Sequence, residues 1–503
     1  MTLLADVVAA SQDVAATSSR SRKVAILAEL LRRLDANEVP VAVGLLSGVP
    51  RQGRVGVGYA TIYGVELPPA VEPSLNVGEL DHAITEIERA TGSGSAAGRG
   101  RILGELLGRA TDPEAAFVKR LFTGELRQGA LAGLMVDAIA SAAAVSGEIV
   151  RRALMLSGDL TCTAEIAIRE GEAGLRAIGL QIFRPILPML ASTADSAADA
   201  VAAFARASVE WKLDGIRIQI HRGGDEVRIY TRNRNEITHA LPGIVEAVRR
   251  LPVRQSVFDG EALWMGGDGP AAFQDTVSRI DNEAAPEGIV TFLFDVLHVD
   301  GADLLDTPLV ERAARLEKIA PQLRIPGAVT SDPDDGERVL AEALEAGHEG
   351  VVVKDATSLY AAGRRGKAWR KVKPVRTYDL VVLGAEWGHG RRQGWLSNVH
   401  LGARDSATGE FLMVGKCFKG LTDELLRWQT KELLARETAR RGIAVLVRPE
   451  LVVEVALDGV QSSTRYPGGV ALRFARVKRY RPDKDAEEAD TIDDLRALLP
   501  ARE

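Results

Sequence analysis

The hydrophobic rhythm of the chain changes once, near Phe183, and that change limits what the chain can fold into. Before it, apolar residues recur at helical spacing, as at Leu27, Leu31 and Leu34 or at Ile102, Leu103, Leu106 and Leu107. "FRPILPMLA" (183–191) then brings two prolines, which favour an extended path into a new domain. Beyond it a period of two prevails. Ile216, Ile218 and Ile220 alternate with Arg217, Gln219 and His221, the pattern of a half-buried strand, and Gly223-Gly224-Asp225 turns into a second alternating run at Val227, Ile229 and Thr231. Strands are expected at 216–222, 227–231, 257–263, 289–295 and 350–354, with helices at 240–250 and 308–320. From "TYDLVVLGAEWG" (377–388) onward, short strands at 411–416, 451–456 and 472–480 between glycine turns suggest a small barrel. At 503 residues the chain exceeds what one core usually supports. Three domains are therefore expected, at 1–184, 185–376 and 377–503: all-α, α+β with antiparallel sheets, and all-β.

Within the first domain "TGSGSAAGRG" (91–100) reads as a flexible connector of small residues, and Ala130 to Val145 reads as a core helix, its apolar run broken by Asp137. No segment has the apolar length of a membrane span. The start of the chain, with Leu3, Leu4, Val7 and Val8 around Asp6, lacks the basic lead of a signal peptide. Two distant cysteines, Cys162 and Cys417, and seven scattered histidines give no cluster with metal-ligand spacing. A soluble, cytoplasmic protein is expected. The formal net charge is -6, so affinity for nucleic acid must come from local basic patches. One such patch runs from Tyr360 to Arg376, with Arg364, Arg365, Lys367, Arg370, Lys371, Lys373 and Arg376 and no acid; a second runs from Arg473 to Lys484. "GRVGVGYATIYG" (53–64) has the glycines of a phosphate loop but lacks the third in register, and is set aside.

Lys212 lies in "EWKLDGIRIQIHR" just before the first alternating strand, where a side chain can be aimed. Taken singly it reads as a surface lysine paired with Glu210 or Asp214. Four other strings bear on it. "VFDGEALW" puts Asp259 and Glu261 on one strand face, "FLFDVLHVDG" brings Phe294 and Asp295, "EGVVVK" sets Glu349 and Lys354 at the ends of a valine strand, and "WRKVKP" offers Lys371 and Lys373 two apart. In order, "KLDG", "TRN", "FDGE", "FLFDVL", "EGVVVK", "WRKVK" and "RYRPDK" resemble the motif set of ATP-dependent DNA ligases, within the covalent nucleotidyltransferases, from about 185 to 484. Upstream, "RLFTGELRQGALAGLMVDAIA" (120–140) resembles the helical DNA-binding domain of that family. One departure is Ala475, where many relatives carry proline.

The resemblance implies a helical DNA-binding domain, an ATP-grasp-like nucleotidyltransferase core and a C-terminal OB-fold barrel. It implies sealing of 5′-phosphate/3′-hydroxyl nicks in duplex DNA through a lysyl-AMP on Lys212 and an adenylated DNA end, in repair, replication or recombination. Glu210 would accept a hydrogen bond from the adenine amino group, Phe294 would stack on the base, and Glu261 would approach the ribose. Arg217, Arg232 and Arg365 would contact phosphates of the nucleotide or nick, and Lys371 and Lys373 would complete the AMP site. Glu261 and Glu349 would hold Mg2+, or Mn2+ in its place, while Arg481 and Lys484 would orient the leaving pyrophosphate. The partner would be nicked duplex DNA, encircled by a monomer associated with the nucleoid in a bacterium, with no membrane involved. An mRNA guanylyltransferase shares the KxDG chemistry but has no use for a helical DNA-binding domain. An NAD-dependent ligase would need a four-cysteine zinc module. An RNA ligase is a more distant rival, and a catalytically dead nucleic-acid binder would not need all five of Lys212, Glu261, Glu349, Lys371 and Lys373.

Overall fold

The computed structural model describes the chain except for residues 54, 56, 66, 93, 127–131, 267–268, 271–275, 277–287, 362–364, 375 and 500–503, together with the side chain of Arg365. Arg127, Gln128 and Gly129, within the string that resembles a DNA-binding domain, therefore lie outside the described residues, as does Arg364. The chain forms two compact units, Met1–Val372 and Lys373–Glu503.

The first unit opens with helices from Leu4–Ala16 to Leu160–Arg176. Their apolar stripes close on one core in which Leu4, Val8, Leu31, Leu80, Phe117 and Ile139 are all buried. Helix starts are fixed locally: Asn76 and Glu79 form a reciprocal cap, as do Thr111 and Glu114. The helix expected at 130–145 spans Ala132–Ala143, and its lone acid, Asp137, pairs with Arg20 at 2.6 Å and Arg151 at 3.0 Å. The connector expected at 91–100 is instead largely the first turns of helix Ser95–Gly108. Alanines there carry no helix penalty, and the Leu103, Leu106 and Leu107 stripe behind them buries the helix.

After Pro188 come β1 (Leu190–Thr193), β2 (Ala207–Lys212), β3 (Ile216–Gly223), β4 (Glu226–Thr231), β5 (Gln255–Gly266), β6 (Gly269–Pro270), β7 (Ile289–Val299), β8 (Ala302–Asp303), β9 (Gly327–Thr330), β10 (Gly350–Asp355) and β11 (Arg365–Val372). They make two sheets, ordered β1-β11-β10-β2-β9 and β4-β3-β5-β7-β8, the second with β6 on β5. All pairings are antiparallel except β1 with β11. A shared core of Leu213, Val257, Leu297, Tyr360 and Trp369 joins them, with Met155 and Leu156 of helix Gly147–Ser157.

The polar face of β3 is not solvated, as simple alternation would have it. Gln219 is 6% exposed and His221 is fully buried. The linker lies across that face. Arg217 donates to Met189 O at 2.6 Å, Gln219 accepts from Ile186 N at 2.8 Å, and His221 Nδ1 accepts from Phe183 N at 3.0 Å. An extended proline-bearing segment has unpaired backbone groups, and the strand's polar side chains satisfy them.

A buried ion pair braces β7. Arg312, in helix Leu309–Ile319, donates two hydrogen bonds to Asp295, at 2.7 and 2.9 Å, with both side chains fully buried. Arg312 also donates to Thr307 O at 2.5 Å. Removing one member leaves the other charge buried and alone, which typically costs about 3–5 kcal/mol. Arg312→Ala is therefore expected to lower the melting temperature of the first unit sharply, read by scanning calorimetry, while surface Arg338→Ala changes it little.

The second unit is antiparallel: β12 (Arg376–Trp387), β13 (Leu396–Arg404), β14 (Phe411–Cys417), β15 (Glu437–Arg441), β16 (Ala444–Val447), β17 (Val452–Leu457), β18 (Gly459–Ser462), β19 (Val470–Arg473) and β20 (Arg476–Tyr480). β12 pairs with β13 along one edge; along the other it meets β17 over Arg376–Val381 and β16 over Gly384–Glu386, so the sheet curls around it. Leu380, Val399, Leu401, Val445 and Val455 fill the inside with Leu426 and Leu433 of helix Asp423–Ala435. Arg376–Asp379 is paired strand, in register with Leu457–Glu454. The boundary between units falls earlier, at Val372 and Lys373.

Candidate active site

Lys212 is the last residue of β2, opposite Gly350 of β10. Leu213-Asp214-Gly215 then carries the chain from the five-stranded sheet to β3 of the other. That crossing needs glycine: a Cβ on Gly215 would lie 2.4 Å from Ala262 O and 2.9 Å from Glu261 Cγ. The side chain of Lys212 is 22% exposed and donates from Nζ to Glu349 Oε2, while Glu349 N donates to Lys212 O at 3.0 Å. Glu349 thus holds the lysine from both its backbone and its side chain.

Glu261 stands on β5 opposite Arg217 of β3. Burial, the largest influence, pushes its carboxyl up to about 8; Lys212 and Arg217 pull it down, while Asp259 and Glu349 push it further up. Asp259, on the same face, takes both arms of Arg217, at 3.0 and 2.7 Å, and a hydrogen bond from Tyr360 Oη at 2.7 Å. Burial works against the Arg217 charge, and Asp259 outweighs it, so the guanidinium stays protonated. Arg232 is exposed just beyond β4, in a cleft shared with Pro185, Ile186, Arg217, Gln219 and Asp259.

The residues expected to meet the base come from both sheets. Glu210 of β2 is 1% exposed; its Oε1 accepts from Ser208 Oγ at 3.0 Å and from Arg324 Nη2 at 3.1 Å, and its Oε2 is ion-paired with Lys354 Nζ. Burial pushes its carboxyl up, but Lys354 and Arg324 outweigh it and hold it below the usual carboxylate range. Phe294 of β7 is buried, with Lys354 Nζ 4.5 Å and Arg217 Cζ 5.3 Å from its ring centroid. Trp369 stands edge-on to it at 6.1 Å.

The structure therefore brings Glu210, Lys212, Arg217, Glu261, Phe294 and Glu349 around the seam between the sheets, and Arg232 into the adjoining cleft. Lys371 lies on β11, opposite Val352. It does not share a strand with Lys373, because β11 ends at Val372. Lys373 opens the second unit, where its Nζ is 3.8 Å from Asp458. Arg365 begins β11. In the second unit, Arg481 and Lys484 both reach one oxygen of Asp379, at 3.0 and 2.7 Å.

Sequence reasoning passed over Arg324, which has no motif around it, and Tyr360, visible only as the start of a basic run. It also passed over Phe474. That residue is 63% exposed at φ 53°, a costly backbone state for a bulky side chain, with Arg473 and Lys419 within 6 Å of its ring. An exposed ring between cations is suited to stacking on nucleic-acid bases. Among the described residues no three His, Cys, Asp or Glu side chains form a metal cluster, and no helix is long and apolar enough to cross a membrane. Two carboxylates, Glu261 and Glu349, do suit a hard cation that keeps several waters. A carboxyl raised by burial is also one that a cation would draw back to its charged form.

Comparison with known proteins agrees along the whole chain. The family model described as "ATP dependent DNA ligase domain" matches residues 188–373, "ATP dependent DNA ligase C terminal region" matches 392–484, and "DNA ligase N terminus" matches 61–140. A "Probable DNA ligase" of Rhodococcus opacus (strain B4) is 55% identical, over 99% of this chain and 100% of that one. One from Rhodococcus jostii (strain RHA1) is 54% identical with the same coverage. The solved structure "Pmar-Lig_Pre." has the same fold, with a TM-score of 0.64 at 19% identity, over 95% of this chain and 99% of that one. With three family matches in order and relatives of equal length at more than half identity, the chain belongs to the ATP-dependent DNA ligases.

Proposed function

We propose that the chain seals nicks between a 5′-phosphate and a 3′-hydroxyl in duplex DNA, with Lys212 as nucleophile. The observation that carries this is the pairing of Lys212 with Glu349 at the seam of two sheets, beside Glu261 and Arg217. A free lysine, pKa about 10.4, is almost wholly charged near neutrality. Attack requires the neutral amine, so the proton on Lys212 must leave before or as the bond to phosphorus forms. Lys212 Nζ attacks the α-phosphorus of ATP; the N–P bond forms, the bond to the bridging oxygen breaks and pyrophosphate leaves. A DNA 5′-phosphate oxygen then attacks the same phosphorus and releases the lysine. The 3′-hydroxyl last attacks the 5′-phosphate and expels AMP.

Glu210 and Phe294 would hold the adenine and Glu261 the ribose. Arg217, Arg232, Arg365, Lys371 and Lys373 would meet phosphate charge, which spreads over the phosphoryl oxygens in each transfer. Mg2+ or Mn2+ held by Glu261 and Glu349 would add positive charge at the phosphates. In this reading residues 1–184 form the DNA-binding domain, 185–376 the nucleotidyltransferase core and 377–503 the OB domain. A monomer encircles nicked duplex, and the enzyme serves repair, replication or recombination in the cytoplasm.

The test is intact-mass analysis after incubation with ATP or GTP and Mg2+, followed by nicked duplex. A gain of one AMP with ATP, absent in EDTA and discharged by nicked DNA, is the expected result. An adduct formed with GTP instead, or one that nicked DNA leaves in place, would refute the reading.

A further inference from the structure

Two cations with no part in the chemistry above tie the base-reading carboxylate to the base platform. Arg324 gives Nη2 to Glu210 Oε1 at 3.1 Å and Nη1 to the carbonyl of Phe294 at 3.4 Å. Lys354 ion-pairs with Glu210 Oε2 and donates to the same Phe294 carbonyl at 3.5 Å. Glu210 and Phe294 belong to different sheets, so each cation is a staple across the seam. Arg324 is held in place itself: Ile325 N donates to Leu293 O at 3.0 Å, which docks its segment beside β7. Neither cation reaches solvent freely, with Lys354 2% and the Arg324 side chain 15% exposed.

The arrangement fixes what Glu210 can do. A carboxylate offers about four lone-pair sites; Ser208 and Arg324 fill the two on Oε1, while Oε2 faces the Lys354 ammonium as an ion pair and accepts no hydrogen bond among the described residues. Acceptor capacity therefore remains on Oε2, on a group that two cations keep ionised. Adenine presents a C6 amino group, a donor; hypoxanthine and guanine present a C6 carbonyl, an acceptor. An ionised carboxylate accepts from the first and repels the second. A protonated one could donate to the carbonyl and would lose that distinction, so the selectivity rests on the charge state as much as on position.

We propose that Arg324, with Lys354, is a positioning residue for nucleobase selectivity, holding Glu210 as an ionised acceptor aimed at the 6-amino group. This rests on the reading that Glu210 meets the base. The test compares ATP with inosine triphosphate as donor, scoring the rate of AMP or IMP addition to Lys212 by intact mass. Arg324→Gln is expected to reduce the ATP-over-ITP ratio of kcat/KM by about tenfold, the usual scale for a lost hydrogen bond to a charged group, chiefly through a higher KM for ATP. Arg324→Lys, which keeps a cation there, should restore most of the ratio. Lys354→Met should act in the same direction; should it fail to fold, the partly exposed Arg324 variants decide. Glu210→Ala separates the two levels of the argument. If it leaves the wild-type ratio intact, Glu210 does not read the base and the reading beneath the proposal falls with it. If it collapses the ratio while Arg324→Gln does not, only the role of Arg324 falls. ATP and ITP use declining together in Arg324→Gln would mean a purely structural part and would overturn the proposal, as would a wild-type enzyme that takes both donors equally.

Discussion

Lys212→Arg will abolish the covalent AMP adduct, leaving the protein folded and able to bind nicked duplex. The reason is in the geometry of the site and the chemistry of the replacement. The nucleophile must be a neutral amine, and arginine stays protonated under all working conditions. A guanidinium can still pair with Glu349, whose backbone also grips residue 212 through its carbonyl. The lysine side chain is about one-fifth exposed, so no buried charge is stranded and stability should shift by less than about 1 kcal/mol. Intact mass after ATP and Mg2+, paired with a melting curve and a gel-shift on nicked duplex, reads all three outcomes. A variant that acquires AMP at residue 212 would remove Lys212 from the mechanism. A variant that melts far lower would mean the ion pair with Glu349 is structural.

How much of this site could be read in the sequence depends on whether a residue's partners were near it in the chain. Period-two alternation located β3, β4 and β5, and the alternation in "FDGE" set Asp259 and Glu261 on one face, as the register against Gln219 and Arg217 bears out. The ends of "EGVVVK" put Glu349 just before β10 and Lys354 near its far end, and both meet β2 partners. What stayed hidden are contacts between segments far apart in sequence. Arg324 finds Glu210 across 114 residues, and Tyr360 finds Asp259 across 101. No local pattern encodes such pairs. The linker over β3 was hidden for another reason. Alternation shows that a strand has two faces but does not say what covers the polar one, and here a proline-bearing segment covers it with its backbone.

The largest separable effect should come from the motif "RYRPDK". The resemblance gives Arg481 and Lys484 to the leaving pyrophosphate, which exists only in the first step, so their effect should be confined to that step. Within their own unit the two cations converge on Asp379 Oδ2, and Arg481 also pairs with Asp483 at 2.7 Å. These acids hold the cations in one orientation while leaving donors to spare, since a guanidinium has five and an ammonium three. Leaving pyrophosphate carries more negative charge than one carboxylate, and would compete for those donors only while it is present. Lys484→Ala and Arg481→Ala are therefore expected to slow adenylylation of Lys212 by roughly 10²–10³-fold, the usual cost of removing one charge-stabilising donor from a transition state. The same variants should seal a nick that already carries AMP on its 5′-phosphate at close to the wild-type rate, because that step involves neither ATP nor pyrophosphate. Asp379→Asn checks that the effect is not structural. It removes the negative partner but keeps both cations, so it should adenylylate far better than either alanine variant at equal melting temperature. Equal loss of adenylylation and of pre-adenylated sealing would place the motif in DNA binding or in folding of the second unit, and its assignment to the pyrophosphate step would go with it.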